Sequence, residues 1–229
     1  MGNMKNRSAA SLLSFADSFT IVNGLMGLFS IFLAVSGEMV WASSFIMLAV
    51  LADGLDGIVA RKLGSEIGKY MDEFSDMVSF CMAPMVAVYV FYSTSFVVTT
   101  ENITLLFSCG IFLIGGMLHL IRYHIGNEGY FVGLTTPAAA MTVISAIYFS
   151  PPWWVISLVL FILSVIMMSS IPYPKIEGIL SIPAVAVILL TVAFGNEFYI
   201  LLLACIVLYI TIGPFHVIYK SRKSEVGQR

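Results

Sequence analysis

Eight long apolar runs leave this chain few ways to fold. They occupy 19–35, 40–60, 68–92, 104–123, 134–149, 153–170, 179–194 and 199–219. A backbone in hydrocarbon must satisfy its own N–H and C=O groups, and about 20 apolar residues wound as a helix cross a bilayer core of ~30 Å. The reading is an all-α integral membrane protein with about eight transmembrane helices. Of 229 residues, 59% are hydrophobic and 10% charged, with mean hydropathy +0.98. Soluble domains carry roughly a quarter charged residues, so that class is excluded.

Lys and Arg gather in alternate connections, as the positive-inside rule requires of correctly drawn spans. Lys5 and Arg7 precede the first run; Arg61, Lys62 and Lys69 join the second to the third; Arg122 ends the fourth; Lys175 follows the sixth; Lys220, Arg222, Lys223 and Arg229 follow the eighth. The other connections carry Glu38, Glu101 and Glu197. Both termini are thereby expected on the cytoplasmic side of a cell membrane. The net charge of −2 says little about partners, and nothing supports nucleic-acid binding.

The chain reads as one membrane domain over 1–229, with 1–17 as a cytoplasmic or interfacial segment. Within that segment Leu12, Leu13 and Phe15 suit either a helix lying on the interface or plain disorder. No cleavable signal is evident, because the first apolar run exceeds a signal core. Cys81, Cys109 and Cys205 lie singly inside runs, without disulfide or zinc spacing, and read as packing residues.

Four aspartates break the apolar pattern. Asp53 and Asp56 lie near the end of the second run, and Asp72 and Asp76 near the start of the third. A carboxylate in a membrane helix costs at least ~2.5–3.5 kcal/mol on insertion scales, so four so close together call for a shared cation. Spacings of three and four put each pair on one helix face, and the short connection lets two antiparallel helices bring the pairs together. Oxygen-only ligation favours a hard ion, Mg2+ or Mn2+, over zinc. Gly57 and Ala60 lower the wall beside the carboxylates, and Arg61 can grip a phosphate in bidentate fashion. Metal, phosphate and lipid access together point to phosphoryl chemistry on a lipid.

The segment Asp53-Gly-Leu-Asp56-Gly57-Ile-Val-Ala60-Arg61, followed by Gly68-Lys-Tyr-Met-Asp72-Glu-Phe-Ser-Asp76, resembles the D-x-x-D-G-x-x-A-R…G-x-x-x-D-x-x-x-D signature of the CDP-alcohol phosphatidyltransferases. Six residues separate Arg61 from Gly68, a couple fewer than is usual in that family. Three further stretches resemble its phosphatidylserine and archaetidylserine synthase branch: Thr20-Ile-Val-Asn23-Gly24 with Gly27, Ser79-Phe80-Cys-Met-Ala83-Pro84, and Phe131-Val-Gly133-Leu-Thr-Thr-Pro137-Ala-Ala-Ala140. Thr135 stands where the branch usually has Pro.

The resemblance implies that an alcohol attacks the β-phosphorus of CDP-diacylglycerol or CDP-archaeol and releases CMP, with L-serine as acceptor. It implies two metal ions, one on Asp53, Asp56 and Asp72, the other on Asp53, Asp72 and Asp76, with Asp76 as the catalytic base. Gly57, Ala60, Arg61, Ser65, Gly68, Thr20 and Asn23 would line the CDP-lipid. Arg122, Lys69 and Lys175 are candidates for the serine carboxylate, and a homodimer is expected.

Plainer readings stand beside these. Thr20 and Asn23 equally suit interhelical hydrogen-bond glue. Lys62 reads as a topology anchor, His119 as a satisfied bundle residue, Gly133 and Pro137 as the shape of a helix start, and Pro183 and Pro214 as kinks. The rival acceptors are glycerol phosphate and inositol phosphate, which would call for a denser basic cluster. The rival class is a cation- or proton-coupled transporter. Its acids usually sit at the bilayer midplane, whereas these sit toward one face.

Overall fold

A computed structural model describes residues 8, 11, 13–63, 67–93, 99–125, 130–176, 178 and 181–226. The described chain is nearly all helical. Helix α1 (Asp17–Val35) ends where Gly37 turns to φ +84°. There the N–H of Glu38 returns to the Leu33 carbonyl at 2.9 Å and that of Gly37 to Ala34 at 3.0 Å, a Schellman stop that sends α2 (Met39–Leu63) back along α1.

The apolar run 68–92 is a single rod in three parts: α3 (Gly68–Asp76), a π-helical turn (Met77–Met82) and α4 (Ala83–Tyr92). Pro84 explains the middle part. It has no N–H to offer the Phe80 carbonyl and its ring crowds that oxygen, so the turn widens and the Ala83 N–H reaches back five residues to Val78. Helices α5 (Thr100–Ile125), α6 (Thr136–Tyr148), α7 (Trp153–Met168), α8 (Ser181–Phe194) and α9 (Asn196–Val226) follow. Among the described residues, five helical stretches are long and apolar enough to cross a membrane: Asp17–Val35, Met39–Gly57, Gly68–Tyr92, Thr100–Arg122 and Glu197–Tyr219. Helices α6, α7 and α8 are apolar but shorter.

Packing follows membrane rules, in which small residues and polar glue replace the hydrophobic drive. Ser30 Oγ donates to the Ala42 carbonyl at 2.8 Å across α1 and α2, and Ser164 Oγ to the Ile111 carbonyl at 2.8 Å across α5 and α7. Gly115 opens the space Ser164 enters, and Gly116 the space Cys81 enters. Gly24 and Gly27 face Ser75 and Ser79 inside the protomer. Cys81 and Cys109 are buried and Cys205 is exposed, all as free thiols. Outward-facing phenylalanines such as Phe107, Phe194 and Phe215 are about 70% exposed, as a lipid-facing surface requires.

One pairing had no signal in the apolar pattern. Phe131–Val132 (β1) pairs antiparallel with Pro172–Tyr173 (β2), tying the α5–α6 and α7–α8 connections together. Tyr173 is buried there, its hydroxyl 3.4 Å from the Ile210 carbonyl of α9, and burial pushes its phenol above the usual range.

Candidate metal and substrate site

The α2–α3 hairpin brings Asp53, Asp56 and Asp72 together, one carboxylate oxygen from each lying within 4.8 Å of the others. The carboxyl groups of Asp56 and Asp72 are within hydrogen-bonding reach of one another. Asp76, a turn beyond Asp72, is within electrostatic reach of Asp53 and Asp72 but stands outside that trio. Asp56 and Asp76 are buried, while Asp53 and Asp72 are half-buried.

Helix α1 holds the two buried carboxylates. Thr20 Oγ1 donates to Asp56 Oδ2 at 2.9 Å, and Asn23 Nδ2 donates to Asp76 Oδ1 at 2.9 Å. The reverse direction is bonded too, since Ser75 Oγ donates to the Thr20 carbonyl and Ser79 Oγ to the Asn23 carbonyl, each at 2.8 Å. Those carbonyls point along α1 toward residues 24 and 27, both glycine, and this lets the serines in. A Cβ on Gly27 would come within 2.6 Å of the Ser79 Cα, and one on Gly24 within 3.1 Å of the Ser75 Oγ. The glycine–serine seam therefore sets the register that aims Thr20 and Asn23.

The residues suit a divalent cation on grounds internal to the site. Asp72 Oδ1 is buried and has no hydrogen-bond partner among the described residues, a position that costs free energy unless a cation or donor arrives. Three converging carboxylates are a hard-oxygen donor set of the kind Mg2+ and Mn2+ take. Gly57 has the space a substrate needs. A Cβ there meets nothing within 4 Å among the described residues, so packing against them does not account for the missing side chain. Gly68 opens α3, half-buried. The backbone of Ala60 and Arg61 continues α2, but their side chains, and all of Ser65, lie outside the described residues.

The candidate acceptor cations sit apart. Lys69 is exposed in the first turn of α3, three residues before Asp72. Arg122 closes the C-terminal end of α7: Nη1 donates to the Met168 carbonyl at 3.0 Å, Nη2 to Met167 at 2.8 Å, and Nη2 also to Val132. Lys175 Nζ lies 5.5 Å from the centre of the Phe131 ring. His119 is buried with Nδ1 3.2 Å from the Met167 carbonyl, as a satisfied bundle residue should be.

Three contributors escaped the sequence reading. Ser75 carries no motif of its own and Ser79 enters only as the start of a branch-like stretch, but their spacing of four matches the face of α3 and the π turn that carries Asp72 and Asp76. Asp17 is buried 1% exposed within electrostatic reach of Asp56, and its Oδ2 accepts from the Ser14 N–H at 2.6 Å and from Ser14 Oγ at 3.0 Å. The Ser-x-x-Asp spacing of a capping box just before an apolar run was the available signal.

Comparison with known proteins converges on one group. A family model described as CDP-alcohol phosphatidyltransferase matches residues 13–211. An archaetidylserine synthase from Methanothermobacter thermautotrophicus is 34% identical over 183 residues, 76% of this chain and 76% of that protein. A CDP-diacylglycerol–serine O-phosphatidyltransferase from Methanocaldococcus jannaschii is 32% identical over 87% of this chain and 92% of its own length. One of the same description from Helicobacter pylori is 29% identical over 73% and 75%.

Proposed function

Because the chain belongs to the CDP-alcohol phosphatidyltransferase family, we propose that it transfers a phosphatidyl or archaetidyl group from a CDP-lipid to the hydroxyl of L-serine and releases CMP. The carrying observation is the trio Asp53, Asp56 and Asp72, with an Asp72 Oδ1 unpartnered among the described residues, beside a Gly57 that packing against those residues does not require. Serine as the acceptor rests on the relatives' names together with the sparse positive charge of the charged face, which suits a zwitterion better than glycerol phosphate or inositol phosphate.

Asp53, Asp56, Asp72 and Asp76 would hold one or two Mg2+ or Mn2+ ions. Such ions supply Lewis acidity toward the diphosphate oxygens and stabilise charge on departing CMP. The chain's own groups do the rest. Gly57, Ala60 and Gly68 leave room for the nucleotide and diphosphate, Arg61 and Ser65 bind phosphate oxygens, and Thr20 and Asn23 flank them from α1. Asp76 takes the serine hydroxyl proton as serine Oγ bonds to the β-phosphorus. The bond from that phosphorus to the bridging oxygen breaks, and its electron pair leaves with CMP. For the serine carboxylate, Lys69 is preferred for its place in α3 three residues before Asp72, whereas Arg122 holds three carbonyls at the end of α7.

The wider frame is eight membrane helices, with the shorter α6, α7 and α8 included. Both termini and the aspartates face the cytoplasm of a cell membrane, in a homodimer. Either CDP-diacylglycerol or CDP-archaeol fits, because the two differ only in apolar chains and their linkage.

The test is CMP release by purified protein from each CDP-lipid with Mn2+ or Mg2+, comparing L-serine, glycerol 3-phosphate and inositol phosphate. Serine-dependent release that vanishes on chelation and in Asp76→Asn is expected, a loss of about 10²–10⁴-fold for removing a general base. Release with another acceptor would overturn the serine assignment. Silence with every acceptor and metal would revive a transporter.

A further inference from the structure

Asn23 is placed unlike an ordinary piece of interhelical glue. Its residue is fully buried, its Nδ2 faces Asp76 Oδ1 at 2.9 Å, and its Oδ1 is buried with no hydrogen-bond partner among the described residues. An amide that served only to join helices would be expected to satisfy both ends, since an unmet buried acceptor loses its hydration without replacement. The carboxylate dictates the orientation, because two oxygens would repel where the N–H now donates. The Ser79 Oγ bond to the Asn23 carbonyl and the bare Gly27 hold the backbone from which that amide projects.

We infer that Asn23 is the positioning residue of Asp76: its amide holds Oδ1, so that Oδ2 is the oxygen that receives the acceptor hydroxyl proton. This rests on the proposed transfer to serine, and it moves Asn23 from the nucleotide's lining to the base's support. In the step itself, the serine O–H proton passes to Asp76 Oδ2 while serine Oγ bonds to the β-phosphorus and the bridging oxygen leaves on CMP. Asn23 touches none of the reacting atoms and acts only through the carboxylate.

Four proteins decide it in full-length, detergent-purified form: wild type, Asn23→Ala, Asp76→Asn and the double variant. They are assayed for serine-dependent CMP release with labelled CDP-lipid, alongside Mn2+ binding. Asn23→Ala is expected to lower kcat by roughly 10–10²-fold, a share of what a general base contributes. Its KM for CDP-lipid and its Mn2+ affinity should stay within about twofold, as for a group whose effect is confined to the transition state. In the Asp76→Asn background the same substitution should cost nothing further, since two residues acting as one unit are not additive. Asn23→Asp keeps the side-chain volume and decides the matter if the alanine variant is not monodisperse, with the same kcat loss expected. A raised KM at unchanged kcat would return Asn23 to the nucleotide, and fully additive losses would reduce it to packing. Inactivity of the wild type would instead sink the serine transfer beneath it.

Discussion

Gly27 is the residue at which one methyl group does most harm. A Cβ there lands on the backbone of Ser79, where a rotamer change gives no relief, so α1 must move away from the π turn. Overpacking of this kind costs about 1–3 kcal/mol. Gly27→Ala should therefore lower the unfolding temperature in detergent and reduce kcat as well, since the Asn23 and Thr20 bonds move with α1. Gly57→Ala is its counterpart: the new methyl meets nothing within 4 Å among the described residues, and alanine is favoured over glycine in a helix by ~1 kcal/mol. Thermal stability should hold or rise while KM for CDP-lipid increases. A Gly57→Ala variant with unchanged KM would remove that glycine from the substrate's path.

At the level of elements, Arg122 at the end of α5 bonds both the strand that follows it, β1, and the end of α7, about 45 residues on. The last carbonyls of a helix have no intrahelical donors, and here one guanidinium supplies them. Gly133, at φ +85°, is glycine because a side chain would enter the space of that guanidinium and the Met167 carbonyl. Arg122→Met should cost about 1.5–3 kcal/mol per charged bond lost, read as a lower unfolding temperature, with the serine KM left near wild type. Lys69→Met should instead raise the serine KM. The contrast separates a latch from a ligand at two cations that the sequence presents as equivalent.

Across the whole molecule, the proposed topology puts the Lys and Arg clusters and the aspartates at one face, which is what an enzyme using a water-soluble acceptor and a lipid donor needs. Helix α6, with 13 residues, is only ~20 Å long at 1.5 Å per residue, short of a ~30 Å hydrocarbon core. In the proposed eight-span arrangement its packing against α4, α7 and α9, with local thinning of the bilayer, would accommodate it. The eight-span arrangement predicts opposite labelling of two single-cysteine variants in a cysteine-free protein. Lys69→Cys should react with an impermeant maleimide only in inverted vesicles, and Glu38→Cys only in right-side-out ones. Labelling of both in the same preparation would break the topology.

Much of this protein is legible residue by residue along the chain. The apolar runs dictate helices because hydrocarbon offers the backbone no other partner, and the D-x-x-D-G and G-x-x-x-D-x-x-x-D spacings place the acids on helix faces by periodicity alone. Tertiary structure decided what periodicity cannot carry. It set Asp76 apart from the trio Asp53, Asp56 and Asp72, turned Gly24 and Gly27 inward onto Ser75 and Ser79, and drew Asp17 toward Asp56. It also spent Arg122 on carbonyls and tied β1 to β2. Each of these joins residues about 10 to 56 apart in sequence, or turns on which side of a helix meets a neighbour. A local pattern gives each helix its faces, but only the packed bundle selects the face that meets a carboxylate.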